Sequence, residues 1–257
     1  REYRLMKTSV NTALTSFFVI SVILAVFGAV ASPAIMAWLR TPENIFAEAV
    51  LYLRIYFIGL PFLFMYNVLA SVFNALGKSK IPLYFLIFSS ILNVIMDLFM
   101  VIVMNLGVAG VALATIIAQG ISAVISFLVL VRYLKGQPEQ GLLFDGGMLV
   151  RMAGIALPSI LQQSIVSIGM MLVQSVVNSF GSAALAGYSA GMRIEGICIV
   201  PMSAMGNAVS TFTAQNIGAD QKDRVVKGYH AAYGIVVFFG ILILAVLETC
   251  NREIIST

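Results

Sequence analysis

Three oxygen-bearing side chains fall at one predicted depth in two neighbouring apolar segments. Asn93 and Asp97 are four residues apart, so on an α-helix they project from one face, one turn apart. Asp97 lies about seven residues from the far end of its segment, and Thr115 about seven residues into the next. An amide, a carboxylate and a hydroxyl at one level suit a Na⁺ ion, or a carboxylate that binds and releases a proton. The alternative is a hydrogen-bond set that only packs two helices together.

Two further side chains extend this candidate cation site. Tyr52 has the depth of Asp97 and would add a hydroxyl, although a tyrosine near an interface also serves as an anchor. Arg54 is a charge inside an apolar segment, which is costly and therefore points to function. Its guanidinium either extends towards the surface or pairs with Glu48 or Asp97.

A polar stripe follows one face of a later apolar segment. It contains Ser167 and four candidates for the lining of a substrate cavity, Gln163, Met170, Gln174 and Asn178. Arg54, on an earlier segment, is a fifth candidate. In lipid such a face must turn towards other helices or a cavity. The chain has 13 methionines, which suit an adaptable pocket or simply fill gaps between helices.

These side chains must be positioned by membrane-spanning helices. Of the 257 residues, 60% are hydrophobic and 10% are charged, with a mean hydropathy of +1.01, whereas a soluble domain has about a quarter charged residues. The apolar runs are long and lack the alternation of barrel strands, so helices are expected. The sequence predicts an all-α, polytopic membrane protein with seven spans, at about 9–39, 47–76, 81–104, 108–133, 149–180, 183–214 and 228–250.

The basic residues predict the orientation of these spans. Eleven of the 15 Lys and Arg residues fall on one side of the predicted spans, two on the other and two within spans. Cytoplasmic loops carry this excess, so the N-terminal end of the segment is expected in the cytoplasm. The net charge of +4 is spread over separate loops and forms no single patch, which argues against a nucleic-acid partner.

An internal repeat indicates two halves. A shift of 220 residues places Arg4 and Lys7 on Arg224 and Lys227, and the run ILAV at 23–26 on the same run at 243–246. Internal repeats recur in secondary transporters. We expect residues 1–136 to form the C-terminal part of a first bundle, 137–148 a cytoplasmic loop, and 149–257 the N-terminal part of a second bundle. Two spans are expected before Arg1 and three after Thr257, which gives twelve.

No enzyme or cofactor signature is present. There is no phosphate-binding glycine loop, no HExxH motif and no cysteine or histidine cluster at metal-ligand spacing. We therefore expect no enzymatic activity, no cofactor and no metal beyond a Na⁺ ion at Asp97. An ion gradient, of Na⁺ or H⁺, is the expected energy source.

Four stretches, LYLRIYFIGLP, NALGKSKIPLY, ILNVIMD and GVAGVALAT, resemble the first half of the multidrug and toxic compound extrusion (MATE) transporters. Residues 215–219, QNIGA, are similar to a turn of the same family. The resemblance runs from the third to the ninth of the family's twelve helices, and it is closest to the DNA-damage-inducible branch. Another branch has a glutamate eight residues after a proline of the seventh helix. Here Val166 follows Pro158 at that spacing, so the chain departs from that branch.

The resemblance implies a two-bundle, inverted-V fold with a central cleft and alternating access. It implies an antiporter of the cell membrane that exports drug-like, cationic or amphiphilic small molecules against Na⁺ or H⁺, and we expect a monomer in the lipid bilayer. Asn93, Asp97 and Thr115 match the positions of the family's ion ligands in the first bundle. The family's aspartate on the first helix would lie before Arg1.

Two other readings remain open at this point. A lipid-linked oligosaccharide flippase of the same superfamily would need a more basic cavity than Arg54 and Arg193 provide. A seven-helix receptor or membrane enzyme is the second alternative. The predicted cytoplasmic N-terminus is the reverse of the usual receptor orientation, and no acidic or Cys/His cluster favours an enzyme.

Overall fold

The computed structural model describes residues 2–39, 41–138 and 140–256, with the side chains of residues 2, 178, 182–186 and 250–256 excepted. Over these residues the chain forms seven α-helices and one short π-helix. All seven spans have a length and composition that allow them to cross a membrane. The helices are α1 Glu2–Trp38, α2 Glu43–Ala75, α3 Lys80–Leu98, α4 Gly107–Lys135, α5 Gly146–Asn178, α6 Ser182–Gly218 and α7 Lys222–Ser256, with the π-helix Phe99–Val103 continuing α3.

The predicted all-α, multi-pass architecture is confirmed, and the differences lie at helix ends. Helix α1 begins at Glu2 and α7 at Lys222, several residues before the predicted spans, while α6 continues to Gly218. At these ends the helix continues through polar residues beyond its apolar part. The predicted spans marked the apolar part alone, because hydropathy reports which residues suit lipid and not where backbone hydrogen bonding stops.

The chain divides into two compact units, Arg1–Gly154 and Ile155–Thr257. In the first unit, helices α1, α2 and α4 pack side by side and α3 packs against α4. Its core lies towards the N-terminal end of α1, where side chains of α1, α2 and α4 meet. The buried residues of this cluster are Val10, Leu14, Leu69, Val72, Phe73 and Leu130.

Glycines allow α2 to approach both of its neighbours closely. A Cβ atom on Gly28 of α1 would lie 2.1 Å from a ring carbon of Phe57, and one on Gly59 of α2 would lie 2.3 Å from Cγ1 of Ile116. Neither position has room for a methyl group. Small residues at helix contacts are the usual route to tight packing in lipid, where the hydrophobic effect does not draw helices together.

The connection between α3 and α4 is tight and irregular. The π-helix ends α3, and the Met104 N–H donates to the carbonyl of Phe99 at 3.1 Å, five residues back. Asn105 and Gly107 then take left-handed conformations, with φ of 52° and 54°, which asparagine and glycine adopt more readily than other residues. The turn places the start of α4 directly beside the end of α3.

In the second unit, α6 and α7 pack as a helical pair joined by a short turn. A Cβ atom on Gly228 of α7 would lie 2.2 Å from the ring of Phe212 on α6. Asn216 is buried and its amide donates to the Phe212 carbonyl at 2.7 Å. The Gln221 N–H donates to the Asn216 carbonyl at 2.8 Å, so the QNIGA stretch closes α6 and begins the turn.

Candidate functional site

Asn93 and Thr115 join α3 to α4 within the first unit. The Asn93 side-chain amide donates to the Thr115 hydroxyl at 3.3 Å, and that hydroxyl donates to the carbonyl of Val111 on its own helix at 3.1 Å. Both side chains are half-buried. The amide oxygen of Asn93 and the second lone pair of the hydroxyl remain available as acceptors. The structure thus brings together two of the three predicted ion ligands.

Asp97 follows Asn93 by one helical turn, at the C-terminal end of α3. Its Oδ1 atom is buried and accepts no hydrogen bond from any described residue. The π-helix begins two residues later, at Phe99, and π-helical turns are frequent at functional sites. A buried carboxylate oxygen without a donor is unfavourable unless a proton or a cation satisfies it.

Asp97 also lies between two contacts of α3 with α4. The Asn93–Thr115 hydrogen bond comes one turn before it. One turn after it, a Cβ atom on Gly110 would lie 3.2 Å from Cβ of Met100, so the backbone of α4 packs directly on the π-helix. The carboxylate is therefore carried by a segment that is held on both sides.

Tyr52 and Arg54 make contacts that the sequence did not predict. The Tyr52 ring stacks on Tyr56, with centroids 6.5 Å apart. The Arg54 Nε donates to the carbonyl of Ala29 on α1 at 3.3 Å. Within the described residues no ion pair joins Arg54 to Glu48 or Asp97. The acceptor is a backbone carbonyl, which no side-chain pattern in the sequence marks.

The predicted cavity residues of α5 share one face of that helix in the second unit. Gln163 and Met170 are exposed and Gln174 is half-buried. Ser167, on the same face, bonds back to the Gln163 carbonyl at 2.9 Å. The side chain of Asn178 lies outside the described residues. The face therefore presents polar groups from Gln163 to Gln174 on a mainly apolar helix.

The first unit also contains a groove that sequence reasoning missed. It has a volume of about 760 Å³ and lies between α1 and α2, within the size range of small-molecule pockets. Its lining is mainly apolar, with Ser9, Asn67 and Ser71 as polar groups. Asn67 and Ser71 are four residues apart on α2, and this helical spacing is the signal that could have indicated the groove.

These features define a multi-pass helical membrane protein. It has seven apolar spans, its helices pack closely at glycines, and oxygen-bearing side chains lie inside the spans. The MatE family model matches residues 1–99 and 158–257. The chain belongs to the MatE family, the multidrug and toxic compound extrusion proteins. Membership of this family does not support the alternative of a seven-helix receptor. The two matched stretches are consistent with an internal repeat, whereas the bundle boundaries predicted at residues 136 and 149 stay a prediction.

Two relatives from Bacillus subtilis illustrate the similarity. The chain is 35% identical to the probable multidrug resistance protein YpnP over 200 residues, which are 76% of this chain and 44% of that protein. It is 30% identical to the probable multidrug resistance protein YoeA over 264 residues, which are 98% of this chain and 56% of that protein. The chain spans about half the length of these relatives.

A solved structure shows the same fold. A MOP-superfamily transporter from Pyrococcus furiosus superposes with a TM-score of 0.88 at 19% identity, over 98% of this chain and 57% of that chain. The predicted MATE-type fold is therefore confirmed.

Proposed function

We propose that this chain is the ion-binding part of a secondary active antiporter. The observation that carries the proposal is the buried, unpartnered Oδ1 atom of Asp97, one turn from the Asn93–Thr115 hydrogen bond. Family membership and the relatives named as multidrug resistance proteins support an export function. The protein would export drug-like, cationic or amphiphilic small molecules against an inward flow of Na⁺ or H⁺ by alternating access.

The chemistry of the site follows from its three side chains. An ionised carboxylate away from water needs a counter-charge or a proton. Na⁺ would take oxygen ligands from Asp97, Asn93 and Thr115, and a proton would neutralise Asp97 alone. In either case, the bound and unbound forms differ by one charge inside the membrane. Conformations that expose the site to opposite sides would then be biased by the ion gradient.

The substrate would bind away from the ion site. The groove between α1 and α2 has a mainly apolar lining that suits an amphiphilic molecule. The polar face of α5 in the second unit, with Gln163, Met170 and Gln174, is a separate candidate for adaptable substrate contacts. Arg54 stays a weaker candidate, since its guanidinium already donates to Ala29. We place the protein in the cell membrane as a monomer, with the N-terminal end of this segment in the cytoplasm because of the loop charges.

Efflux measurements with the full-length protein in proteoliposomes test this function. Wild type is expected to move a cationic dye such as ethidium when a Na⁺ or pH gradient is imposed, and the effective gradient identifies the ion. Asp97→Asn should insert normally and lose gradient-driven efflux. Asp220→Asn is the matched control, because Asp220 is an exposed aspartate of the α6–α7 turn paired with Lys222 at 3.9 Å. Undiminished gradient-driven efflux by Asp97→Asn would reject the role of Asp97.

A further inference from the structure

Three consecutive large apolar side chains are exposed on the linker between α4 and α5 (residues 136–145). Leu142, Leu143 and Phe144 have 48%, 79% and 49% of their surface exposed. Polar or glycine residues flank them on both sides. A loop that lies in water rarely carries such a run, which favours association with an apolar phase.

The backbone of this linker is bound by side chains of α1. The Leu142 N–H donates to Oγ1 of Thr8 at 3.0 Å, and the Asp145 N–H donates to Oγ1 of Thr12 at 3.0 Å. Thr8 and Thr12 are one turn apart and both are buried. Two neighbouring hydroxyls on one helix face therefore accept the backbone N–H groups that water would accept in an ordinary surface loop.

Two more side chains on that face satisfy carbonyl groups of the linker. The Asn11 amide donates to the Leu142 carbonyl at 3.0 Å, and the Thr15 hydroxyl to the Leu143 carbonyl at 3.5 Å. Non-helical backbone at membrane depth is found only where protein groups or a watery cavity satisfy it. The four α1 side chains, Thr8, Asn11, Thr12 and Thr15, are called the ladder. They satisfy both backbone groups of Leu142, the carbonyl of Leu143 and the N–H of Asp145.

The ladder lies level with the packed body of the first unit. Val10 and Leu14, which alternate with the ladder residues along α1, belong to the buried cluster formed with α2 and α4. The stretch from Thr8 to Thr15 extends about 10 Å along α1. Residues 142–145 of the linker therefore run beside α1 at the level of Thr8 to Thr15.

Gly141 brings the linker backbone against α1. A Cβ atom at this position would lie 2.6 Å from Cβ of Lys7 and 2.7 Å from the backbone N of Thr8. The Lys7 Nζ also donates to the Gln137 carbonyl at 3.0 Å. The basic side chain lies at the end of the ladder nearest the start of α1, where a lysine would meet lipid headgroups.

We propose that residues 142–144 of the linker form a lipid-inserted anchor in the membrane leaflet at the N-terminal end of α1. The side chains of Leu142, Leu143 and Phe144 lie among the acyl chains of that leaflet, while the α1 ladder binds backbone groups of Leu142, Leu143 and Asp145. The partner is thus the bilayer itself. The anchor fixes the start of α5 relative to α1 and to the membrane surface.

Depth measurements with a fluorescent label test the anchor. In the full-length protein with its native cysteines, Cys198 and Cys250 among them, replaced by alanine, Leu143→Cys would be labelled with the environment-sensitive dye NBD and reconstituted in phosphatidylcholine vesicles. We expect blue-shifted emission that nitroxide-bearing lipids quench and aqueous iodide does not. Gln221→Cys, in the exposed α6–α7 turn, should show the reverse. A Leu143 label that iodide quenches lies in water, and one that neither agent quenches packs against protein; either result overturns the proposal.

Two glycine variants test whether the contact with α1 holds the linker in the bilayer. In the labelled Leu143→Cys protein, Gly141→Ala should displace the linker, so that lipid quenching is lost and iodide quenching appears. Gly136→Ala is the matched control, because its Cβ would meet the Tyr133 carbonyl oxygen at an ordinary 3.5 Å. If Gly141→Ala does not fold, Thr12→Val removes one ladder acceptor without a clash and should weaken lipid quenching. Unchanged quenching in whichever variant folds contradicts the role of the ladder.

Discussion

Gly59→Ala should weaken binding of the coupling ion although Gly59 is no part of the proposed ion site. The new methyl carbon would lie 2.3 Å from Cγ1 and 2.5 Å from Cδ1 of Ile116, the residue next to Thr115. Cγ1 is bonded to the branched Cβ atom of isoleucine, so a rotamer change gives limited relief. Restoring an ordinary contact of 3.4 Å therefore requires α4 to move by about 1 Å at this level.

A movement of this size exceeds the increase in donor–acceptor distance that the Asn93–Thr115 hydrogen bond can tolerate. At 3.3 Å this bond is already long, and we expect it to break when α4 moves Thr115 relative to Asn93. A neutral hydrogen bond contributes about 1 kcal/mol, so we expect about a fivefold loss of apparent ion affinity. The overpacking itself should lower the free energy of unfolding by about 1–3 kcal/mol.

The assay is the Na⁺ or H⁺ concentration that gives half-maximal efflux in proteoliposomes, with thermal unfolding in detergent measured in parallel. Gly120→Ala is the matched control on the same helix pair, since its Cβ would meet Phe62 at an ordinary 3.4 Å. The double variant Gly59→Ala, Ile116→Ala removes the clashing atoms and should recover much of the affinity. An unchanged affinity in a folded Gly59→Ala protein would refute the reasoning, and so would an equal loss in Gly120→Ala.

Three further predictions concern single side chains. Thr115→Val should lower apparent ion affinity in the efflux assay by about tenfold, while Thr115→Ser keeps the hydroxyl and most of the affinity; equal affinities for the two would contradict the role of the hydroxyl. Asp145 accepts a backbone N–H in the first turn of α5 at 2.8 Å, so Asp145→Ala should cost about 1 kcal/mol in detergent unfolding and Asp145→Asn clearly less. Gly228→Ala should lower the unfolding temperature because its Cβ would meet Phe212 at 2.2 Å. Gly234→Ala, which has nothing within 4 Å, should not do so, and similar melting of the two variants would exclude the clash as the cause.

The sequence predicted the spans and the Asn93–Thr115 level for related physical reasons. Long apolar runs must be helices in lipid, and consecutive spans run in opposite directions. Two residues at similar distances from a shared connection therefore lie at similar depth. The hydrogen bond between Asn93 and Thr115 adds what depth could not predict, namely that these side chains face each other.

Contacts to backbone groups escaped the same reasoning. Arg54 donates to the Ala29 carbonyl and not to a carboxylate. Thr8, Asn11, Thr12 and Thr15 bind the backbone of the linker. Every residue has a backbone carbonyl, so the identity of the acceptor leaves no mark in the sequence. The four α1 residues do have helical spacing, so the sequence marks a polar face on α1. This face could have indicated that α1 binds the backbone of a non-helical segment.

The position of Asp97 gives the π-helix a physical role. An α-helix that ended at Asp97 would leave the carboxylate on a fraying last turn. Instead, the chain continues into the π-helix, where Met100 is 8% exposed and packs on the backbone of α4 at Gly110. The hydrogen bond from Asn93 to Thr115 holds the preceding turn. The carboxylate is thus positioned by the turns on either side of it and needs no hydrogen bond of its own, which leaves its buried oxygen available to a proton or Na⁺.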